Sequence, residues 1–191
     1  MANVEPVFET ALQQLDTSAL SGPAFNVTEV RDFAYVVLRL HPQTAGATEA
    51  LDRLGLTFPP ALGISALPEQ RLVLKWISPD EYLVTLPLAD RAAFIERAQA
   101  AFRGLFAAVV DNSGGYSLLR IGGEQRYAVL SKLCFYDLRG NLPVGKVVST
   151  RLARAPAIFY RVQDNELYCM LRWSFADYGW KALLAAGGEY G

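Results

Sequence analysis

The chain has 191 residues, a formal net charge of −1, 19% charged residues and 52% hydrophobic residues. Such a chain can bury a substantial core, which excludes disorder, and its balanced charge gives no electrostatic footing for nucleic acid or an anionic membrane. The two cysteines, Cys134 and Cys169, stand in apolar runs without CxxC spacing, which argues against a disulfide framework or a cysteine metal site and for a reducing, cytoplasmic setting.

In chain order, residues 1–24 read as a peripheral segment. Phe8, Leu12 and Leu15 could form a helical stripe that Ser21-Gly22-Pro23 ends. The Met-Ala-Asn-Val-Glu-Pro start is not a secretory signal, and no apolar run reaches the roughly 20 residues that span a bilayer. Phe33 to Leu40 is a strand closed by Pro42, and Thr44 to Leu54 is a short helix with Gly55 placed as its cap. Thr57 to Gln70, with three prolines, reads as an irregular connection. Leu72 to Ile77 and Tyr82 to Leu86 form a strand pair across Ser78-Pro79-Asp80-Glu81, with Trp76 as a core anchor.

Asp90 is placed to cap an amphipathic helix carrying Phe94, Ala98, Ala101 and Phe102 at three- and four-residue steps. Val109 to Gly123 then predicts a hairpin whose turn is Asp111-Asn112-Ser113-Gly114-Gly115, feeding a helix over Glu124 to Lys132. Asp137 to Pro143 reads as a loop, and Gly145 to Thr150 leads into a strand. Ala157 to Val162 and Glu166 to Leu171 form a further antiparallel pair. Ser174 with Asp177 is close to a capping box, opening a helix that faces a sheet through Phe175, Ala182 and Leu183 and stops at Gly187-Gly188. The class is α+β, with two small mixed or antiparallel sheet-plus-helix subdomains at 25–88 and 89–191. The strands within 71–86 are able to join either.

Chemistry-bearing clusters are sparse. His41, the sole histidine, lacks a nucleophile and an orienting acid at any readable spacing, and Gly114-Gly115 and Gly122-Gly123 match neither the dinucleotide nor the Walker pattern. No catalytic, cofactor-binding or metal-binding residue is assigned. Trp76, Asp80, Asp111, Ser113, Asp137, Arg172 and Ser174 remain as structural or subunit-docking candidates.

The motifs Leu74-Lys75-Trp76-Ile77-Ser78-Pro79-Asp80-Glu81-Tyr82-Leu83, Val110-Asp111-Asn112-Ser113, Asp137-Leu138 and Arg172-Trp173-Ser174-Phe175-Ala176 occur in an order and spacing that resemble the gamma subunits of heterotetrameric sarcosine oxidases. Arg139-Gly140 stands where that family commonly carries His-Pro. The resemblance implies a fold related to folate-binding aminomethyltransferases. It also implies a non-catalytic subunit docked chiefly on an alpha subunit, beside beta and delta subunits. The implied complex demethylates sarcosine to glycine with release of hydrogen peroxide. FAD, FMN, NAD and zinc, and the use of tetrahydrofolate, fall to the other subunits. A stand-alone folate or one-carbon carrier-binding protein is the alternative.

Overall fold

A computed structural model describes residues 9–190. Among these residues, ten strands form two five-stranded sheets, antiparallel at every pairing, and each sheet carries helices on one face only. β1 (Asn26–Val30), β7 (Tyr116–Gly122), β10 (Glu166–Arg172), β9 (Ala155–Gln163) and β8 (Val147–Leu152) lie side by side in the first sheet. The second sheet runs β3 (Ile64–Leu67), β4 (Leu72–Ser78), β5 (Glu81–Pro87), β2 (Phe33–Leu40) and β6 (Ala107–Asp111). The two bare faces pack on each other, so the order of layers is helix, sheet, sheet, helix.

Strand alternation assigns the side chains to these layers. On β2, Ala34, Val36, Leu38 and Leu40 point to the outer core of the second sheet. That core is closed by α1 (Ala47–Asp52) and α2 (Arg91–Ala101), whose Ala50, Phe94 and Ala98 are buried there. Phe33 and Tyr35, the intervening residues, point instead between the sheets, where they meet Val73 and Leu83 from the same sheet and Leu118, Tyr160 and Met170 from the other. The outer core of the first sheet is covered by α3 (Arg126–Ser131), α4 (Leu138–Asn141) and α5 (Trp173–Gly187), with Trp180 and Leu183 fully buried against Leu119, Phe159 and Leu171.

Several expectations need correction. Val109 to Gly123 is not a hairpin. β6 pairs with β2, from Val36↔Asp111 to Leu40↔Ala107, whereas β7 pairs with β1 and β10. The turn between them is therefore a crossover from one sheet to the other. For the same reason a division at residue 88 cuts through both sheets, because β1 joins the C-terminal strands and β6 joins the N-terminal ones. Residues 64–67 of the expected irregular connection form β3, paired with β4 from Ile64↔Lys75 to Leu67↔Leu72. The expected loop after Asp137 contains α4, a single turn. Of the expected N-terminal stripe, Phe8 lies outside the described residues, residues 11–14 form a turn, and Leu12 is fully buried in the first sheet's core.

The two sheets are also joined through their backbones at one corner. Ile64 N–H donates to Gly145 O (3.0 Å) and Val147 N–H donates to Leu62 O (2.8 Å), which links the edge strand β3 to the edge strand β8. Among the described residues, no helix is long and apolar enough to cross a membrane.

Candidate functional site

The crossover between β6 and β7 gathers four of the seven candidate residues. Asp111 ends β6, and its carboxylate accepts the Ser113 N–H at 3.0 Å, an Asx turn that bends the chain out of the sheet. Arg91, at the start of α2, lies 3.6 Å from the second carboxylate oxygen. Burial alone would raise the Asp111 carboxyl, but the Ser113 donors and the Arg91 guanidinium together hold it below the usual carboxylate range. Ser113 Oγ accepts the Tyr35 N–H (3.4 Å), and Asn112 N–H donates to the Tyr35 carbonyl (2.8 Å), so the turn is fastened to β2. Gly114, at φ +83°, occupies the left-handed conformation that glycine tolerates, and Gly115 N–H closes the turn on Asn112 O at 2.9 Å.

The turn also holds the last helix. The Gly115 carbonyl accepts the Trp173 N–H at 3.1 Å, so the first amide of α5 is satisfied by the crossover. With the helix starting at Trp173, Ser174 is not its cap. Arg172 is the residue before the helix, no side chain caps it, and Ser174 is already helical and exposed. Asp177, expected as the reciprocal acid of a capping box, pairs with Lys181 at 2.8 Å. Arg172 lays its guanidinium over the Tyr116 ring, 4.5 Å from the centroid, and Tyr116 meets Tyr35 edge-on at 5.6 Å. Asp111, Ser113, Arg172 and Ser174 thus share one corner, where both sheets meet α5.

The other three candidates lie elsewhere. Asp80, in the β4–β5 turn, accepts Arg39 Nη2 at 2.8 Å and Ser78 Oγ at 3.0 Å, and these two hydrogen bonds hold its carboxyl below the usual range. Trp76 is half-buried at the margin of the second sheet's outer core, and the fully buried tryptophan is Trp180. Asp137 caps α4, accepting the amides of Arg139 (3.1 Å) and Gly140 (2.9 Å). His41 is exposed, and its Nδ1 accepts the Gln43 N–H at 3.2 Å, a local turn contact. No group of three or more His, Cys, Asp or Glu that could hold a metal occurs among the described residues.

Two further features lie beyond the candidate list. The α5 surface beside the crossover carries Trp173 and Phe175, 39% and 40% exposed, so Phe175 faces solvent and not the sheet as expected. Trp173 lines a shallow hollow with Gly114, Tyr116 and Tyr35. The second feature is Lys75, fully buried between the sheets. Its amine donates to Thr85 Oγ1 (2.9 Å) and Val73 O (3.2 Å) and lies 4.6 Å from the Tyr160 ring centroid. Burial holds its pKa well below the ordinary lysine value. The signal was present in Leu72-Val73-Leu74-Lys75-Trp76-Ile77, where a lysine takes a place that the alternation gives to the inside of a sandwich.

Comparison with known proteins identifies the family and the fold. Residues 41–189 match the model of the sarcosine oxidase, gamma subunit family. A sarcosine oxidase subunit gamma from Corynebacterium sp. (strain P-1) is 25% identical over 182 residues, which is 93% of this chain and 89% of that one. A chain of heterotetrameric sarcosine oxidase from Corynebacterium sp. U-96, solved in complex with pyrrole 2-carboxylate, superimposes with a TM-score of 0.86 at 23% identity and 97% coverage of both chains. The glycine cleavage system aminomethyltransferase T from Bartonella henselae superimposes with a TM-score of 0.64 at 15% identity, over 86% of this chain and 46% of that one. The two paired sheets with outer helices are therefore the aminomethyltransferase-like fold.

Proposed function

Because the chain belongs to the sarcosine oxidase gamma subunit family, we propose that it is a non-catalytic subunit of an oxidase assembly and docks on the large alpha subunit. That assembly demethylates sarcosine to glycine with release of hydrogen peroxide and passes the one-carbon unit to tetrahydrofolate. FAD, FMN, NAD and zinc belong to its other subunits, and the assembly works in the cytoplasm. The observation that carries the docking role is the pair of part-exposed aromatic side chains, Trp173 and Phe175, at the corner where both sheets converge. Large aromatic anchors flanked by an arginine are the residue types that dominate binding energy at protein interfaces. Here the anchors rest on a rigid base, because the crossover holds the first amide of α5 and the Tyr35–Tyr116–Arg172 stack supports it from below.

The test is a Trp173→Glu, Phe175→Glu double variant mixed with the flavin-bearing subunits. Burying two carboxylates at the centre of an interface weakens association by at least about 100-fold, using roughly 1.4 kcal/mol per tenfold and 2 kcal/mol or more per hot spot. The variant's thermal midpoint stays near the parent's, since both side chains already meet solvent. Undiminished association of the folded variant would move the docking face away from this corner.

A further inference from the structure

Between the two sheets lies a cavity of about 220 Å³. Its apolar walls come from both layers, with Phe33, Leu72 and Val73 on one side and Leu118 and Val162 on the other. An apolar cavity of about 150 Å³ holds a benzene ring, so this one takes a leucine- or phenylalanine-sized side chain. Its lining also includes one cation and one anion, each from a different sheet. Arg71 comes from the turn before β4, and Glu166 is the first residue of β10.

Neither charge is neutralised by an opposite one, although the Glu166 carboxylate takes a hydrogen bond from the Tyr168 phenol. Among the described residues, Arg71 and Glu166 form no ion pair. Arg71 is held in place all the same. Its backbone adopts φ +50°, a conformation that a side chain bearing a Cβ rarely takes, and its guanidinium lies 4.8 Å from the centroid of the Phe33 ring. Tyr168, stacked on Tyr160 at 5.0 Å, lines the same cavity and senses both charges. Burial raises its phenol to about 12, the charge of Glu166 and the hydrogen bond to it add to the rise, and Arg120 and then Arg71 oppose it.

From this arrangement we propose that the cavity between the sheets binds a zwitterionic α-amino acid with an apolar side chain. The side chain enters between the sheets, the carboxylate meets Arg71 and the ammonium meets Glu166. An apolar body with opposite charges at one end is the ligand chemistry that matches a greasy slot with an opposed guanidinium and carboxylate. The site shares Val30, Phe33 and Leu118 with the hollow beside Trp173, and its ligand chemistry does not depend on the subunit role.

Calorimetric titration of the full chain tests this with L-leucine and L-phenylalanine, beside 4-methylpentanoate, which lacks the amine, and isoamylamine, which lacks the carboxylate. Saturable binding of at least one amino acid is expected, weakened about tenfold or more by Arg71→Gln, by Glu166→Gln, and in either single-charge analogue. Perturbation of the Tyr160 and Tyr168 ring resonances on titration places the ligand between the sheets. The analogues carry the same test without any substitution, should a variant fold poorly. Absence of heat for both amino acids at millimolar concentration overturns the proposal. So does equal affinity for an analogue that has lost one charge.

Discussion

Replacing Lys75 with methionine removes a buried amine while keeping the length and most of the volume of the side chain. The amine is surrounded by neutral groups, the Thr85 hydroxyl, the Val73 carbonyl and the Tyr160 ring. To lie there it must either shed its proton or remain an ammonium without a counter-ion. Deprotonating a lysine of ordinary pKa, about 10.4, at pH 7.5 costs about 4 kcal/mol, and this caps the penalty of keeping it neutral. Against that stand two hydrogen bonds worth about 1 kcal/mol each. Lys75→Met therefore stabilises the fold by about 1–3 kcal/mol at pH 7.5, as replacement of buried charged groups by apolar side chains often does.

Lys75 also gives the fold a pH dependence. The folded pKa of Lys75 is lowered, so between that value and the unfolded value of about 10.4 the unfolded chain binds the extra proton. Stability contributed through this group thus rises with pH across that window, by up to about 1.4 kcal/mol per unit. Urea denaturation of parent and variant at pH 7.5 and 9.5 reads both effects. The parent should gain on the variant as pH rises, because the methionine protein lacks this linkage. A variant less stable by about 2 kcal/mol or more, with an unchanged pH slope, would refute the reasoning and mean that the amine is held favourably.

Two glycines separate a steric demand from a conformational one. Gly114 and Gly123 both have positive φ, but a Cβ on Gly114 meets nothing within 4 Å, whereas one on Gly123 drives into the backbone of Ala24 and Phe25. Gly114→Ala should cost about 1–2 kcal/mol and Gly123→Ala about 3 kcal/mol or more, read from urea midpoints; equal costs would show that the Ala24–Phe25 segment before β1 does not grip the turn after β7. Cys169 is fully buried at the centre of the first sheet, and burial raises its thiol. Mass spectrometry after treatment with a thiol reagent should find it unmodified in the native protein and modified at once in denaturant, and rapid native labelling at a rate insensitive to low urea would contradict that burial.

Local periodicity made the hairpin strands and the long helices legible. Leu72 to Leu86 carries its turn chemistry and alternation within fifteen residues, and β4 and β5 pair as that pattern demands. The helix over Phe94 to Phe102 repeats its apolar residues at helical spacing, and Phe94, Ala98, Ala101 and Phe102 are buried together. The stretch from Val109 to Gly123 carried the same local signs and misled, because a Gly-Gly turn between two strands looks alike whether they pair or part. What separates them is a partner far along the chain. β2 offers its edge to β6, and β1, too short and polar to announce itself, takes one side of β7. Ser174 failed as a cap for a related reason, since the Gly115 carbonyl binds the Trp173 amide and the helix starts at Trp173, which leaves Ser174 inside its first turn. Of the seven candidate residues, Asp111, Ser113, Arg172 and Ser174 come together only through that crossover.

Assembly is the central claim, and native mass spectrometry of this chain co-expressed with the other subunits of a heterotetrameric sarcosine oxidase tests that claim most directly. The chain is expected in one stable complex with the flavin-bearing subunits, and the Trp173→Glu, Phe175→Glu variant is expected to be released from it as a folded protein. A chain that stays alone while the other subunits assemble completely without it would contradict the account.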